Sequence, residues 1–206
     1  PPTGFLALCT SNLPDVAVIP SEHFNTVLYS GNNTAQRQIT GVGFQPSWTW
    51  IKGRTGTHAA NSHYLFDAVR GVGKQIKSNA TSVEATNTNN LYAFDSDGFS
   101  LGQSAADSVT NGASTTFVSW NWNSVEGYSK VGSYTGNTNA DGAFVYTGFK
   151  PAYVLIKRSD STGNWKVYTA AISSENLVND YFNANTTDVL GSPATANSLD
   201  FLSNGF

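Results

Sequence analysis

The sequence is poor in charge, cysteine and long apolar runs, and it contains no methionine. Charged residues make up 12% of the 206 residues, so the surface of the folded chain must be mostly neutral and polar. Cys9 is the single cysteine, which excludes a disulfide within the chain and a thiolate metal cluster. No apolar run approaches the roughly 18 to 20 residues that span a bilayer, and residues 1–4 lack the character of a signal peptide. We expect no membrane insertion, and the missing initiator methionine suggests a fragment of a longer polypeptide.

The few charges do not favour a nucleic-acid partner. The net charge of −3 divides into −1 over residues 1–124, with 6 basic and 7 acidic residues, and −2 over residues 125–206, with 5 basic and 7 acidic residues. A protein that binds a phosphate backbone needs a basic excess on one face, and neither part has one. We therefore expect no nucleic-acid partner, and no motif predicts a cofactor.

Glycine, serine, threonine, asparagine and aromatic residues are abundant instead. This composition is typical of strands joined by many tight turns. The length suits one large β domain or two modules of roughly 100 residues each. An all-β fold is the natural expectation.

An internal repeat organises the chain. Residues 24–54 and 128–158 share blocks at an offset of 105 residues, and each range contains a Gly-aromatic-x-Pro block that begins at Gly43 or Gly148. In both copies a strand-like stretch follows the proline, which ends the preceding strand. The two copies therefore share a strand and the corner before it.

A second shared block predicts a hairpin in each copy. Residues 94–99 match residues 201–206 at an offset of 107, so small loop insertions lie between the blocks. Asp97-Gly98 and Asn204-Gly205 supply residues that tolerate positive φ between flanking aromatic residues, which is a strong hairpin signal.

These blocks set the predicted domain organisation. Residues 1–22 form an extended linker or docking segment, residues 23–124 a first β-sandwich repeat, and residues 125–206 a second one. Repeat one continues beyond its hairpin to the strand-like residues 117–122, whereas repeat two stops at Phe206, so we expect repeat two to be truncated at its C-terminus.

The predicted fold class is all-β, with tandem antiparallel β-sandwich modules of jelly-roll-like type and little helix. One short helical turn is predicted within residues 173–182, where serine can cap its start. Residues 67–77 are ambiguous because Gly71 and Gly73 interrupt them.

Several sequence blocks resemble a repeat of uncharacterised function in structural proteins of tailed bacteriophages of marine and cyanobacterial type. The blocks are GFQPSWTWIKGR, LFDAVRG and FDSDGFSLG in the first copy, with GFKPAYVLIKR and NWKVY in the second. The opening PPTGFLALCTSNLP is similar to the segment that follows a concanavalin-like or SPRY-like domain in such proteins, which implies a further β domain before Pro1. The resemblance implies a virion-surface fibre or appendage, a homotrimer and contacts with other virion proteins. It supplies no catalytic or binding residues.

Four tryptophans are the candidate ligand-binding residues. Trp48 and Trp50 are two apart, as are Trp120 and Trp122, so on strands each pair projects from one face. Flat aromatic pairs can stack on the sugars of a bacterial surface polysaccharide. The alternative is packing in a core or between subunits, which is favoured because repeat two has tyrosine and leucine where Trp48 and Trp50 stand.

Other polar candidates carry weaker signals. Asp95 and Asp97 could serve glycoside hydrolysis or calcium binding, but repeat two has Leu202 and Asn204 in their places, which favours turn chemistry. The three histidines match no metal-ligand spacing, and no Gly-x-Ser-x-Gly motif occurs. A cluster of basic residues could contact an acidic glycan, or it could simply be solvated at the surface. The histidines are His23, His58 and His63, and the basic residues are Lys52, Arg54, Arg70, Lys74 and Lys77.

We therefore expect no enzyme and no metal site, and a fibre protein that attaches to a host-surface glycan. A purely architectural spacer or capsid decoration is the main alternative. A glycan depolymerase is disfavoured because the repeat of about 105 residues far exceeds the short coils of a β-helix. A cellular adhesin carrying the same repeat also remains open.

Overall fold

The computed structural model describes residues 18–102, 108–139, 142–172, 177–178, 181–188 and 199–206. Within these ranges the chain consists of antiparallel β-sheets, and its helical content is two 3₁₀ turns, Pro20–Glu22 and Ala170–Ile172. The predicted all-β, sandwich-type fold with little helix is confirmed. Cys9 and most of the predicted linker lie outside the described residues.

The described part of repeat one contains nine strands. They are β1 (Phe24–Ser30), β2 (Arg37–Ile39), β3 (Trp48–Thr55), β4 (Tyr64–Asp67), β5 (Lys74–Lys77), β6 (Ala85–Thr86), β7 (Ala93–Asp95), β8 (Gly98–Leu101) and β9 (Thr116–Trp122). Six of them form one sheet in the order β1-β9-β3-β4-β5-β6, and the other three form a second sheet in the order β2-β8-β7.

The last strand of repeat one lies inside the larger sheet. β9 is inserted between β1 and β3 and pairs with both in antiparallel fashion, Phe117 with Tyr29 and Trp122 with Trp48. The first and last strands of the repeat are therefore neighbours. The large sheet stays connected only if β9 is in place.

Strict alternation gives the large sheet two different faces. Along β3 the buried Thr49, Ile51 and Gly53 alternate with the half-buried Trp48 and Trp50. The inner face packs against the β2-β8-β7 sheet and forms one buried cluster. Its members are Tyr29, Ile39, Ile51, Tyr64, Phe66, Leu91, Phe99, Leu101 and Phe117.

One end of the sandwich is closed by a buried polar network. The Thr110 hydroxyl donates to the Asn90 carbonyl at 2.6 Å, and the Ser108 hydroxyl donates to the Asn90 side-chain oxygen at 2.9 Å. The Tyr29 hydroxyl donates to the Thr110 carbonyl at 2.8 Å, and burial raises the pKa of Tyr29 far above its ordinary value. Because these buried groups have partners, the network stabilises the loop before β9.

Repeat two reproduces part of this plan. The strands in its described residues are β10 (Tyr153–Ile156), β11 (Lys166–Thr169), β12 (Leu177–Val178), β13 (Phe182–Asn183) and β14 (Leu199–Asp200). The sheet β10-β11-β13 has the order and pairing of β3-β4-β5, because Tyr153 pairs with Thr169 as Trp48 pairs with Asp67. β12 and β14 form a separate pair.

The helical turn predicted within residues 173–182 is wrong for the described part of that segment. Leu177–Val178 and Phe182–Asn183 are strands that pair with β14 and β11. Long-range pairing overrides the local capping signal, as it often does for a short segment of weak propensity.

The predicted hairpin is present in both repeats. Asp95 pairs with Gly98 across a two-residue turn, and Leu202 bridges to Gly205 in the same way. The turn residues are thus Ser96-Asp97 rather than Asp97-Gly98, although Gly98 has the expected positive φ of 148°.

The side chain of Asp97 holds the turn against a neighbouring loop. Its carboxylate accepts hydrogen bonds from the backbone N–H groups of Gly41 at 3.0 Å and Gly43 at 2.6 Å. These two bonds lower the pKa of Asp97 below its ordinary value of 3.8. A group whose folded pKa is depressed stabilises the fold above its unfolded pKa and loses that contribution as pH falls through the folded pKa.

We predict that the melting temperature of Asp97→Asn varies less with pH than that of the wild type. At neutral pH the variant should melt at a lower temperature than the wild type, because its amide offers one uncharged oxygen in place of the two carboxylate oxygens that accept from Gly41 and Gly43. As pH falls through 3.8 and below, the melting temperatures of the wild type and the variant should converge. Thermal melts followed by circular dichroism check this, and a difference that stays constant across pH would contradict it.

The two repeats are joined by contacts of loops and side chains. The indole N–H of Trp165 donates to the Lys77 carbonyl at 2.7 Å. Backbone N–H groups of Glu84 and Gly163 donate to the Ser159 and Thr81 carbonyls at 3.1 and 2.9 Å. Repeat two therefore lies against the β5-β6 side of repeat one.

Candidate binding surface

The four candidate tryptophans lie together on the outer face of the large sheet. Register places Phe24, Trp122 and Trp48 in one row across three strands, and Trp120 and Trp50 in the next row. We call these five side chains the aromatic face. All five are half-buried, because side chains of neighbouring strands on one face shield each other.

The rings of the aromatic face touch in a continuous series. Trp48 and Trp122 stack with ring centroids 4.4 Å apart, and Trp122 is 4.9 Å from Phe24. Trp50 meets Trp120 edge to face at 6.0 Å and lies 6.1 Å from Trp48. Such arrangements each add about 0.5 to 1.5 kcal/mol beyond area burial. The tryptophans thus stabilise one another as well as presenting a flat surface.

A histidine fixes the orientation of one ring. The Trp50 indole N–H donates to His63 Nδ1 at 2.9 Å, which requires that this nitrogen carries no proton. Burial, and then the nearby positive charge of Lys52, lower the pKa of His63 below its ordinary value. The ammonium of Lys52 is held in place by two hydrogen bonds, which it donates to the Ala59 and Asn61 carbonyls at 2.5 and 2.7 Å. This corner of the surface serves to orient Trp50.

Part of the aromatic face packs against a hydrophobic cluster to which both repeats contribute. Trp48 and Trp50 pack against a buried cluster of Leu65, Ile76 and Trp165, and Leu155 of repeat two packs against the same cluster. We call Trp48 and Trp50 the covered half. For these two residues, packing against the cluster accounts for part of their burial.

The open half of the aromatic face consists of Phe24, Trp120 and Trp122, which lie outside that cluster. Its neighbours along β1 are Thr26, which is exposed, and Leu28, which is 60% exposed. The side chains of these rows are uncharged on the β1 and β9 side of the sheet. A flat and neutral aromatic surface of this kind suits the apolar face of a sugar ring better than an ionic ligand.

The two carboxylates of the hairpin, Asp95 and Asp97, each accept hydrogen bonds from nearby groups. Asp95 accepts a hydrogen bond from the Ser100 hydroxyl at 2.6 Å, and Asp97 binds the backbone of the Gly41–Gly43 loop. Both carboxylates are thus engaged in holding the hairpin and its neighbouring loop. This arrangement is the turn chemistry that the sequence favours.

Each of the three histidines has a different neighbour. The His23 ring lies 6.3 Å from Tyr128, His58 Nδ1 is 2.8 Å from the Asn61 amide nitrogen, and His63 accepts from Trp50. In the described ranges, no three His, Cys, Asp or Glu side chains are grouped so that they could hold a metal ion.

Two of the five basic residues, Arg70 and Lys74, are paired with acids. Arg70 contacts Asp67 at 2.5 Å and Glu84 at 3.3 Å, and Glu84 also contacts Lys74 at 3.3 Å. The ammonium of Lys77 lies 5.8 Å above the Tyr64 ring. The two acids therefore balance part of the positive charge at this place.

Sequence reasoning missed two features of this region. One is the role of Trp165, which caps Leu65 and Ile76 of repeat one, and the other is the buried polar network around Asn90 and Thr110. Trp165 belongs to the quoted NWKVY block, but nothing in the block indicates its partner. Both features arise from residues distant in sequence, which periodicity cannot bring together.

None of the helical segments in the described part of the chain has the length and apolar character that crossing a membrane requires. One protein-family model, a domain of unknown function designated DUF7483, matches the chain over residues 19–124 and again over residues 122–206. No curated protein and no solved structure matches the chain.

Proposed function

The chain belongs to the DUF7483 family, and we propose that it is a non-catalytic module of a phage fibre or virion appendage that attaches to a host-surface glycan. The assignment to a virion surface, a homotrimer and contacts with other virion proteins are parts of this proposal that rest on the sequence resemblance. The glycan attachment rests on the aromatic face.

The observation that carries the proposal is the grouping of the four tryptophans. They come from strands that are 70 residues apart in sequence, yet they occupy two adjacent rows on one side of the sheet with Phe24 beside them. Large aromatic side chains packed only for stability are expected on the inner face. These lie on the outer face and keep part of their ring surface accessible.

A non-catalytic role is supported by the partners of the polar candidates. Asp95 and Asp97 are engaged by the hairpin, and Asp67 and Glu84 are paired with Arg70. Glycoside hydrolysis needs two carboxyl groups that flank the scissile bond with a proton available to one of them. Carboxylates held in turns and ion pairs do not supply that arrangement.

We predict that Trp122→Ala and Trp120→Ala each weaken glycan binding by about threefold to tenfold, the range expected for loss of one stacking contact. The probe is a panel of lipopolysaccharides purified from candidate bacterial hosts. The measurement is protection of tryptophan fluorescence from acrylamide quenching, combined with isothermal titration calorimetry.

Leu28→Ala is the matched control, because Leu28 lies on the same outer face of β1 but is outside the aromatic face. Its binding should equal that of the wild type. Thermal melts of every variant separate lost binding from lost folding. Equal effects of Leu28→Ala and Trp122→Ala, or no saturable binding by any member of the panel, would contradict the proposal.

A second candidate function, a purely architectural spacer, is favoured by the contact between repeats. Three hydrogen bonds and the Trp165 cluster fix repeat two on repeat one, as a connector that displays another domain would need. A well-folded wild type that binds no glycan would move the protein to this class. Antibody labelling of virions would then distinguish a tail from a capsid location.

A further inference from the structure

We propose that His63 is an acid-sensitive positioning residue of the aromatic face: its neutral ring holds the Trp50 indole in place, and its protonation releases that indole. The release itself needs no ligand. Its consequence, weaker glycan attachment at acidic pH, rests on the proposed function of the aromatic face. The release and its consequence can therefore be measured separately.

The sheet register brings His63 next to Trp50. Trp50 on β3 lies opposite Leu65 on β4, and His63 is two residues before Leu65 on the same face. A diagonal neighbour of this kind is within reach of a large aromatic side chain. The two rings meet edge to face with centroids 5.7 Å apart, and the indole N–H donates to His63 Nδ1 at 2.9 Å. Packing and hydrogen bonding therefore act on the same indole ring.

This hydrogen bond exists in one protonation state of the imidazole. Nδ1 accepts from the indole only while its lone pair is free, so the neutral ring must carry its proton on Nε2. A second proton would go to Nδ1, where it would face the indole N–H with no acceptor between the two donors. The indole is a donor only, so the pair cannot reverse the direction of the bond. Protonation of His63 therefore breaks the contact.

The charged and titratable groups near His63 keep its ring neutral at pH 7. Burial lowers the pKa of His63, and the positive charge of Lys52 on β3 lowers it further. The ammonium of Lys77, at the end of β5, lies 5.8 Å above the Tyr64 ring, and burial raises the pKa of Tyr64, so that phenol stays uncharged. The neutral side chain of Asn79 accepts from the His63 backbone N–H at 3.1 Å. In the part of the chain that the structure describes, no carboxylate raises the pKa of His63.

Acidification should weaken the fold and the Trp50 contact together. Because the folded pKa of His63 lies below its ordinary value of 6.5, the unfolded chain takes up this proton first. The stabilisation is complete above pH 6.5 and is lost as pH falls from 6.5 toward the folded pKa. The imidazole is half-buried, so it can exchange protons with solvent without unfolding of the sheet.

Trp50 connects His63 to the open half of the aromatic face. The Trp50 ring meets Trp120 edge to face at 6.0 Å and lies 6.1 Å from Trp48. Trp48 in turn stacks on Trp122 at 4.4 Å. Turning the Trp50 ring therefore disturbs the platform on which a sugar would stack.

The release is measured by NMR on the nitrogen-15-labelled 206-residue chain without ligand. The pH is varied from about 8 to about 4.5, above the range in which most carboxylates titrate. Each of the five tryptophans gives one indole N–H signal, and the signal of Trp50 is the one absent from Trp50→Phe. The carbon-bound protons of the imidazole report the titration of His63 in the same samples.

The Trp165 indole is the internal reference, because it donates to a backbone carbonyl, that of Lys77, at 2.7 Å. A backbone carbonyl takes up no proton in this pH range. The ratio of the exchange rates of the Trp50 and Trp165 indole protons should rise about fivefold or more as His63 is protonated, which is the effect of losing one hydrogen bond.

His63→Asn separates protonation of this residue from other effects of acid. The asparagine oxygen is one bond from Cγ, as Nδ1 is, so it can accept from the indole, but it takes up no proton in this range. The exchange ratio should then be independent of pH, and His63→Gln is a second acceptor variant. His23→Asn is the matched control, because it removes a histidine beside Phe24 and should keep the wild-type pH profile. Circular dichroism melts confirm that the variants are folded.

Glycan attachment should follow the titration of His63. Isothermal titration calorimetry uses the lipopolysaccharide of the panel that the wild type binds at neutral pH. Its affinity should fall by about threefold once His63 is protonated, and it should stay constant in His63→Asn.

An exchange ratio that stays constant while the His63 ring titrates would overturn the proposal, as would a ring that takes up no proton above about pH 4.5. An equal response in His63→Asn would assign the release to another group. If the indole responds but no lipopolysaccharide binds at any pH, the positioning role of His63 stands and the glycan function fails. Saturable binding that ignores pH while the indole responds would overturn the coupling of Trp50 to the open half.

Discussion

Replacing Gly98 with alanine should lower the free energy of unfolding by at least about 3 kcal/mol. Gly98 has a φ of 148°, a conformation that is strained for any residue with a side chain and costs about 1 to 3 kcal/mol by itself. A Cβ atom at this position would also lie 2.0 Å from the Ile39 carbonyl oxygen, so the β2-β8 pairing would have to shift. Urea denaturation followed by circular dichroism measures the loss.

Gly41→Ala separates the two causes. Gly41 has a positive φ of 85°, but a Cβ atom there would meet nothing within 4 Å, so this variant should cost only the backbone strain of about 1 kcal/mol. Gly136 has neither feature, and Gly136→Ala should be close to neutral. If Gly98→Ala costs no more than Gly41→Ala, the close approach of Gly98 to Ile39 does not constrain the fold.

The same close approach occurs in repeat two, where a Cβ on Gly205 would lie 2.2 Å from the Val145 carbonyl oxygen. This shared geometry explains why the hairpin block could be recognised from sequence. A glycine that follows a polar turn and precedes an aromatic residue carries local information about both the turn and the strand crossing. The antiparallel character and the alternation of β3 were predictable for the same reason, since they are properties of neighbouring residues.

Other parts of the fold could not be predicted, because they depend on partners distant in sequence. The insertion of β9 between β1 and β3 pairs residues about 90 positions apart, and no local pattern specifies it. The spacing of Trp48 and Trp50 predicted that they share a face, which the structure bears out. Which part of that face repeat two covers depends on Trp165, whose contact with residues near position 77 arises only in the folded chain.

The burial of the four tryptophans also depends on contacts that local sequence patterns do not specify. Packing and ligand binding were competing roles from sequence, and the half-buried state of all four is compatible with each. What sequence could not provide is the division into a covered half and an open half. That division is what makes the binding experiment decisive, because Trp120 and Trp122 lie outside the cluster that contains Trp165.

Phe117→Ala should have the other large effect, a loss of about 3 to 5 kcal/mol in the free energy of unfolding. Phe117 is fully buried on the inner face of β9, and its ring stacks on Tyr29 at 5.2 Å with an interplanar angle of 15°. Truncation leaves a cavity between the two sheets, and β9 is the strand that connects β1 to β3. Chemical denaturation measures the effect.

The matched control is again Leu28→Ala, which removes an exposed side chain from the strand paired with β9 and should change stability by less than about 0.5 kcal/mol. Amide exchange adds a second readout, because loosening β9 should accelerate exchange in β1 and β3 more than in the β2-β8-β7 sheet. If Phe117→Ala cost no more than Leu28→Ala, burial of Tyr29 by β9 would contribute little to stability.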